Sequence, residues 1–288
     1  MNTLRHVARC WRPLWGAVTL LAAPLAGQAP RASLYDRWQF STAVTGVILN
    51  SSIRIDASDG SSGTTVDAED DLGLATQKIE PRLAVRWRPG HRHELEFGYQ
   101  FVRRSSDKVL ERDIVFGDTT FRVGTTVNVK LNTDQGFLTY RFAFMAKPRS
   151  QAGLSASLGP IFLHTGLDGL TQGTQGNQVE INQSRSATGP VGSVGLYGRF
   201  LMGGRCSVEA DARYVAATVD RFDAKVAEGG AAVRYLAWSR VIMEGGYGYS
   251  DINLDIAPRT KFTGGQGPLS GQLKYSLQHV RLAVVAIL

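Results

Sequence analysis

The sequence predicts an all-β fold, a transmembrane antiparallel up-and-down β-barrel of ten strands, with eight or twelve strands as alternatives. Three observations lead to this prediction. Apolar and charged side chains alternate with a period of two, short and long connections alternate along the chain, and the N-terminus has the features of an export signal. No segment after that signal is long and apolar enough for a spanning helix, and the mean hydropathy of −0.12 agrees with this.

Residues 1–29 have the layout of a cleaved secretory signal peptide. Three arginines lie within the first twelve residues, the apolar run Leu14–Leu25 follows, and small residues come next. The run is shorter than the roughly 20 residues that a spanning helix needs. We therefore expect a single barrel domain over residues 30–288 after export.

The clearest alternation lies in residues 78–104, where two runs are joined by the turn Pro89–Arg92. One face of both runs carries leucine, phenylalanine, tyrosine and tryptophan, and the other carries lysine, arginine and glutamate. A period of two places successive side chains on opposite faces of a strand. The segment is therefore predicted to be an amphipathic β-hairpin.

The same alternation predicts ten strands. They are Trp38–Ile55, Leu72–Arg88, His93–Ser105, Thr126–Ala146, Ala152–His164, Ser186–Met202, Arg205–Thr218, Lys225–Trp238, Arg240–Leu254 and Leu269–Leu288. The long connections are Asp56–Asp71, Ser106–Thr125, Gly166–Gln183, Val219–Ala224 and Ile256–Pro268, and the short ones fall between them. Short turns at one end and long loops at the other are typical of outer-membrane barrels.

The charged face of these strands is predicted to line the lumen, because a charge at the lipid midplane costs about 2–4 kcal/mol. The predicted lumen residues are Lys78, Glu80, Arg82, Arg86, Glu94, Glu96, Arg141, Arg199, Glu209, Asp211, Arg213, Glu228, Arg234, Glu244 and Arg281. Basic and acidic members nearly balance, which predicts an ion-pair network that fills a narrow barrel. A soluble lipocalin-like barrel, with an apolar interior, is the main alternative fold.

The phase of the alternation reverses within some strands. In the fourth strand, apolar residues occupy odd positions over 127–131 and even positions over 138–144. A β-bulge would explain the reversal, and so would strands that continue beyond the bilayer into water. The sequence leaves both explanations open.

Aromatic residues cluster near the predicted short-turn ends of the strands. They are Trp38, Trp87, Phe144, Phe200 and Trp238. This arrangement predicts an aromatic girdle at one membrane interface.

Several short motifs between residues 72 and 146 resemble a widespread group of small outer-membrane β-barrel proteins of Gram-negative bacteria. The motifs are Leu72-Gly73-Leu74, Trp87-Arg88, Arg92-His93-Glu94-Leu95-Glu96, Arg103-Arg104, Phe116-Gly117-Asp118 and Tyr140-Arg141. The resemblance implies the barrel fold and an outer-membrane location, and it transfers no catalytic residues. The apolar final residue, Leu288, resembles the terminal signal that the barrel-assembly machinery reads, although phenylalanine is usual there.

Composition restricts the partners that we expect. Cys206 is the only cysteine outside the signal, so no intramolecular disulfide or cysteine-based metal site is expected, and we expect no cofactor. The net charge of +7 falls to about +4 without the three N-terminal arginines, and no basic block is present, so nucleic-acid binding is not expected. The expected partners are outer-membrane lipid, lipopolysaccharide and the assembly machinery, with the protein as a monomer.

Three functions fit this sequence. The first is a structural or surface-interaction barrel with a charge-filled lumen, and the alternative is a narrow passive pore for small solutes. A rim hydrolase is the third candidate, with His164 beside Asp168 as its one histidine–carboxylate pair. The parity of His164 places it on the lipid-facing side of its strand, so no enzyme is predicted. The acidic loop Asp56–Asp71 is predicted to be a solvated, flexible loop, with divalent-cation binding as the alternative.

Overall fold

The computed structural model describes a chain made of strands, turns and loops. The described residues are 31–57, 59–172, 178–220, 222–257 and 270–288. The predicted signal peptide, residues 1–29, lies outside them. Within the described ranges, no helix is long and apolar enough to cross a membrane.

Fourteen strands are found in the described residues. They are β1 (Trp38–Ile55), β2 (Val66–Asp67), β3 (Gln77–Gly90), β4 (His93–Gln100), β5 (Arg103–Val109), β6 (Ile114–Phe116), β7 (Thr119–Phe121), β8 (Thr126–Lys147), β9 (Ser150–Gln172), β10 (Gln178–Met202), β11 (Cys206–Val219), β12 (Phe222–Trp238), β13 (Val241–Ile256) and β14 (Gly271–Ile287).

The long strands form a closed antiparallel wall with ten positions, and this confirms the predicted ten-stranded barrel. Strand β14 pairs with β1 from Gln39↔Ile287 to Ile55↔Gly271, which closes the ring. Strands β4 and β5 follow one another along β8 and share one position. The predicted single strand His93–Ser105 is therefore wrong in detail, because the chain leaves the wall after Gln100 and rejoins it at Arg103.

The predicted long loop Gly166–Gln183 is also wrong for most of its length. Strand β9 continues to Gln172 and β10 begins at Gln178, with unbroken register between them. Glycine and glutamine are typical of loops, and this stretch contains both. Strand propensity depends on context, however, and here the cross-strand pairing of β9 with β10 continues through these residues. The wall is thus taller on this side than the sequence predicts.

The two ends of the barrel differ in their connections. We call the end that carries the tight turns, such as His91–Arg92 between β3 and β4, the short-turn end, and the opposite end the loop end. At the loop end, β2 pairs with β1, and β6 and β7 form a separate small hairpin. Most of the long connections therefore lie at the loop end, as the sequence predicts. The predicted long connection Val219–Ala224 is wrong, because β11 ends at Val219 and β12 begins at Phe222, and the two strands pair up to these residues.

The half of the wall nearer the short-turn end carries large apolar side chains on its outer surface, which we call the apolar belt. Its members include Trp38, Phe40, Val44, Ile48, Ile79, Leu83, Phe97, Leu138, Tyr140, Phe144, Leu154, Leu158, Phe162, Val194, Leu196, Phe200, Tyr214, Val233, Trp238, Tyr247, Tyr249, Val280, Leu282 and Val284. A continuous outward apolar band is the surface that a barrel presents to lipid.

Beyond the apolar belt, toward the loop end, the polarity of the wall is inverted. The outward side chains become polar, for example at Asn50, Lys130 and Lys225. The inward side chains become apolar and form a buried cluster, the loop-end core. Its wall members include Val47, Leu49, Ile53, Val129, Leu131, Leu163, Leu167, Val226, Leu254, Leu273 and Leu277.

This inversion explains the reversal of phase in the sequence. The register of β1 with β14 shows no shift along its length. The one shift between β8 and β9 lies between Ala143 and Met145, near the short-turn end and away from the reversal. Each side chain therefore keeps its face, and the strands extend beyond the belt. Of the two explanations that the sequence left open, the structure favours extension, since the strands continue beyond the belt with no bulge at the reversal.

Shortening an isoleucine to valine should have different effects on stability in the loop-end core and on the apolar belt. Ile53 is 2% exposed inside the core, whereas Ile79 is 73% exposed on the belt. We expect Ile53→Val to lower the free energy of unfolding by about 0.5–1.5 kcal/mol, because it leaves a small cavity in a packed interior. The matched variant Ile79→Val should change it little. Urea titrations followed by heat-modifiable gel migration measure both, and equal losses would contradict the assignment.

Candidate functional site in the barrel interior

The short-turn end of the barrel is crossed by residues 31–37, which we call the N-terminal strap. The amide of Ala32 donates to the carbonyl of Gly204 at 2.8 Å, in the β10–β11 turn. The hydroxyl of Tyr35 donates to the carbonyl of Lys147 at 2.9 Å, at the end of β8. Leu34 is buried beneath these contacts. The strap therefore spans the mouth from the far wall to the start of β1.

Asp36 in the strap lies close to the interior charges. Its burial raises the pKa of the carboxyl above the usual range, an effect that the positive charges of Arg234 and Arg88 partly offset. The amide of Gln39 donates to Asp36 at 3.3 Å, and its carbonyl accepts from Arg234 at 2.7 Å. The strap is thus joined to the wall of the lumen by a polar chain.

Glu94 is the centre of the interior charge network. It is 1% exposed and accepts hydrogen bonds from Arg88, from Arg141 at 2.8 Å and from Arg199 at 2.6 Å. Arg86 also lies 3.4 Å from it. These arginines come from β3, β8 and β10, so one carboxylate on β4 joins three other strands across the barrel.

Two further carboxylates extend this network. Arg86 lies 2.8 Å from Glu96 and 3.4 Å from Glu209. Arg141 also binds Glu96 at 2.9 Å, and Arg199 approaches Glu209 at 3.0 Å. Because Arg86, Arg141 and Arg199 each serve at least two carboxylates, none of them can be removed without leaving a buried charge short of partners.

A second set of ion pairs lies on β11–β14. Arg213 pairs with Glu228 at 3.1 Å and with Asp211 at 3.4 Å. Glu244 lies 3.2 Å from Arg234 and 2.7 Å from Arg281.

Of the remaining predicted lumen residues, Arg82 lies 3.5 Å from Glu96, and Lys78 lies 3.8 Å from Glu80. Each of the fifteen therefore forms at least one ion pair, and all partners of the set lie on the inner face. The prediction omitted Arg88, although it shares the face of Arg82 and Arg86 on β3, so the alternation alone could have identified it.

A cavity of about 130 Å³ lies among these charges, below the loop-end core. It exists because β12 and β13 present small inward residues there, namely Gly230, Ala232 and Gly246. Arg82 and His279 contribute to its polar lining. A second cavity of about 30 Å³ lies nearer the short-turn end and shares Arg82 with the first.

The loop end is closed by residues from the long connections. Val66 and Ala68 are buried against the loop-end core, together with residues that follow them in the chain: Leu72, Leu74, Leu110, Ile114, Phe116 and Phe121. The predicted solvated, flexible loop Asp56–Asp71 is therefore wrong, since part of it packs into the barrel.

Most acidic residues of that loop have partners within the protein. Glu69 accepts from the Ser51 amide at 2.8 Å and pairs with Arg104, which is 2% exposed. Asp67 accepts from the Asp70 amide at 2.8 Å. Across the described ranges, no group of three or more histidine, cysteine or carboxylate side chains is arranged to hold a metal ion.

Asp71 ties this loop to the segment before β6. Arg112 pairs with it at 2.5 Å, and this hydrogen bond holds the pKa of the Asp71 carboxyl below its usual value. A lowered pKa in the folded state means that the contact stabilises the fold above the ordinary aspartate pKa. Its contribution is lost as the pH falls through the lowered value. Since both side chains are partly exposed, the contribution is small.

The candidate rim pair is not assembled. His164 points outward, and its Nδ1 lies 2.8 Å from the hydroxyl of Ser186. Asp168 lies 3.9 Å from the ammonium of Lys130 instead. The location of His164 on the outer face agrees with its sequence parity.

The predicted girdle residues lie near the short-turn end. Trp38 is opposite Trp87 in the register, with ring centroids 5.6 Å apart, and Phe144, Phe200 and Trp238 are exposed on the outer face. A second aromatic row, which was not predicted from the sequence, lies at the other edge of the apolar belt. Its members are Tyr99, Phe101, Phe162, Tyr214, Tyr247 and Tyr249. Two such rows mark the two interfaces of a membrane barrel.

No protein-family model matches the chain, and no curated protein matches it. Among solved structures, the outer membrane protease OmpT from Escherichia coli is similar with a TM-score of 0.55 and 8% identity, over 89% of this chain and 98% of OmpT. Ail, the attachment invasion locus protein of Yersinia pestis, is similar with a TM-score of 0.35 and 9% identity, over 86% of this chain and 99% of Ail. The P. putida toluene transporter TodX is similar with a TM-score of 0.33 and 10% identity, over 88% and 90%.

The similarity to OmpT shows the fold, and it shows the fold alone. The chain has the architecture of Gram-negative outer-membrane β-barrels, so the predicted resemblance is confirmed at that level. Proteolysis is the activity of OmpT, and an identity of 8% does not carry it to this chain.

Proposed function

We propose that the protein is an integral barrel of the bacterial outer membrane that is closed to solutes and serves a structural or surface-interaction role. The observation that carries this proposal is the loop-end core. Leu49, Leu131, Leu254 and Leu273 fill the interior and are each at most 2% exposed. A packed apolar interior leaves no continuous path for water or ions.

The remaining layers support closure at the other end. The N-terminal strap crosses the mouth there, and the network around Glu94 fills the lumen above it. In this proposal the short-turn end faces the periplasm and the loop end faces outward, as in other bacterial barrels. The apolar belt contacts outer-membrane lipid and lipopolysaccharide, and the chain reaches the membrane as a monomer through a cleaved signal peptide and the assembly machinery.

The height of the wall supports a role at the cell surface. Strand β9 continues for ten residues beyond Phe162 of the belt, which is roughly 30 Å along the strand. The described outward side chains there, His164, Gly166 and Asp168, are polar or small, as are their partners Ser186, Ser184 and Asn182 on β10. A rigid extension of this kind presents a folded surface, rather than loose loops, to partners outside the membrane.

The proposal predicts that the purified protein forms no steady channel in planar bilayers. A variant without residues 31–36 should remain closed, because the loop-end core still blocks the interior. The second candidate function is a narrow passive pore, which the two interior cavities favour. Steady single-channel steps in the wild type that Ala232→Trp abolishes, by filling the larger cavity, would establish the pore and overturn the proposal.

A further inference from the structure

The larger interior cavity is lined by hydrogen-bond donors that the protein itself leaves incompletely used. The guanidinium of Arg82 lies 4.5 Å above the ring of Phe137, and its carboxylate acceptor among the described residues, Glu96, is at the long distance of 3.5 Å. Nε of Arg281 and Nδ1 of His279 have no partner among the described residues. A guanidinium has five N–H donors, so most of those on Arg82 face the open volume.

The wall of the cavity leaves room for the imidazole of His279. A Cβ atom on Gly248 of β13 would lie 2.4 Å from the ring, so the position requires glycine. Together with Gly230 and Gly246, this residue keeps the volume beside Arg82, Arg281 and His279 free of side chains. The space is therefore a consequence of particular residues on two adjacent strands.

The charges around the cavity do not balance. At the level of the apolar belt, the described interior holds eight arginines and six carboxylates outside the neutral Lys78–Glu80 pair. The arginines are Arg82, Arg86, Arg88, Arg141, Arg199, Arg213, Arg234 and Arg281, and the carboxylates are Glu94, Glu96, Glu209, Asp211, Glu228 and Glu244. Asp36 in the strap supplies at most one more negative charge. Water can fill a polar cavity of this size but cannot neutralise a buried positive charge.

We propose that the larger cavity binds a small inorganic monoanion, of which chloride is the abundant example, between Arg82 and Arg281 with His279 as a further donor. A single anion supplies the missing counter-charge and accepts the unused N–H groups. The volume of about 130 Å³ also accommodates several waters around it. The smaller cavity shares Arg82, Arg86 and Arg281 and reaches Gln39 beside the strap, so it extends the polar interior from the larger cavity toward the short-turn end. The site does not require a path through the loop-end core.

Bromide tests the site directly, because it substitutes for chloride and gives an anomalous X-ray signal. Crystals of the full chain grown in sodium bromide should show an anomalous peak inside the barrel, in contact with Arg82 and Arg281. Peaks confined to the outer surface, with water only in the cavity, would overturn the inference. This result depends on no variant, so a folding failure cannot obscure it.

A solution experiment with a matched pair of variants gives an independent readout. At equal ionic strength, the unfolding midpoint of the wild type in vesicles should be several degrees higher in chloride than in gluconate, because the ligand binds only the folded state. Arg82→Gln should abolish this difference, whereas Arg122→Gln, which removes an exposed arginine from the β7–β8 connection, should retain it. A wild type indifferent to the anion would contradict the site. Conductance measurements are separate: a conducting barrel that binds bromide overturns the proposed function alone.

Discussion

Replacing Glu94 with alanine should lower the free energy of unfolding by about 3–5 kcal/mol. The carboxylate is buried and is shared by Arg88, Arg141 and Arg199, with Arg86 nearby. Its removal leaves several arginines short of counter-charge in an interior that water reaches poorly. The free-energy cost of these unpaired buried charges exceeds the net stabilisation that the ion pairs provide. Urea titration in lipid vesicles, followed by heat-modifiable migration, measures the loss.

Two further variants separate the effect of charge from that of volume. Glu94→Gln keeps the shape of the side chain and removes the charge, so it should cost nearly as much as alanine. Glu111→Ala removes an exposed carboxylate that lies 3.3 Å from Lys108, and it should change stability by less than about 0.5 kcal/mol. A loss at Glu94 no larger than that at Glu111 would show that the interior is well hydrated and would contradict the charge-filled lumen.

The belt region of the barrel is predictable because lipid imposes a large and simple penalty. A charged side chain such as Arg82 or Glu244 cannot face hydrocarbon at low cost, so the parity of charges assigns the inner face of each strand that carries charges in the belt. The alternation in β3 and β4 therefore gave both the hairpin and its orientation. The boundaries of strands beyond the belt were less predictable, because residues 166–172 and 178–183 mix glycine and glutamine with isolated apolar residues and lie where lipid no longer penalises a charge.

The N-terminal strap and the loop-end core were not predicted from the sequence, because neither is governed by the penalty for placing charge in lipid. In the strap, Leu34 is buried although its neighbours show no period, since the strap is an irregular segment held by turn carbonyls. At the loop end, Leu131 and Leu273 occupy the inner face, where the membrane-barrel pattern of apolar outer and polar inner residues predicts polar side chains. Outside the membrane the ordinary rule for soluble proteins applies, and apolar side chains point inward. The loop half thus has the polarity of the soluble barrel that the sequence analysis set aside as an alternative.

A strand that extends beyond the belt therefore faces lipid along one part of its length and water along the other. On β1, the outward residues Val44 and Ile48 meet lipid, whereas Asn50 on the same face lies beyond the belt. The inward residues change in the opposite sense, from Gln39 near the strap to Leu49 and Ile53 in the core. A charge on the outer face should consequently be costly at one height and harmless at another.

Val44→Arg and Asn50→Arg test this directly. Both residues point outward on β1, six residues or roughly 20 Å apart along the strand, and Val44 is 57% exposed in the belt. We expect Val44→Arg to cost about 2–4 kcal/mol, because it places a guanidinium near the lipid midplane, and Asn50→Arg to cost about 0–1 kcal/mol. Urea titrations in vesicles compare the two, and titrations in a detergent micelle should narrow the difference because water reaches the belt more easily there. Equal costs at the two positions would mean that the belt ends elsewhere, and a larger cost at Asn50 would reverse the assignment of the two halves.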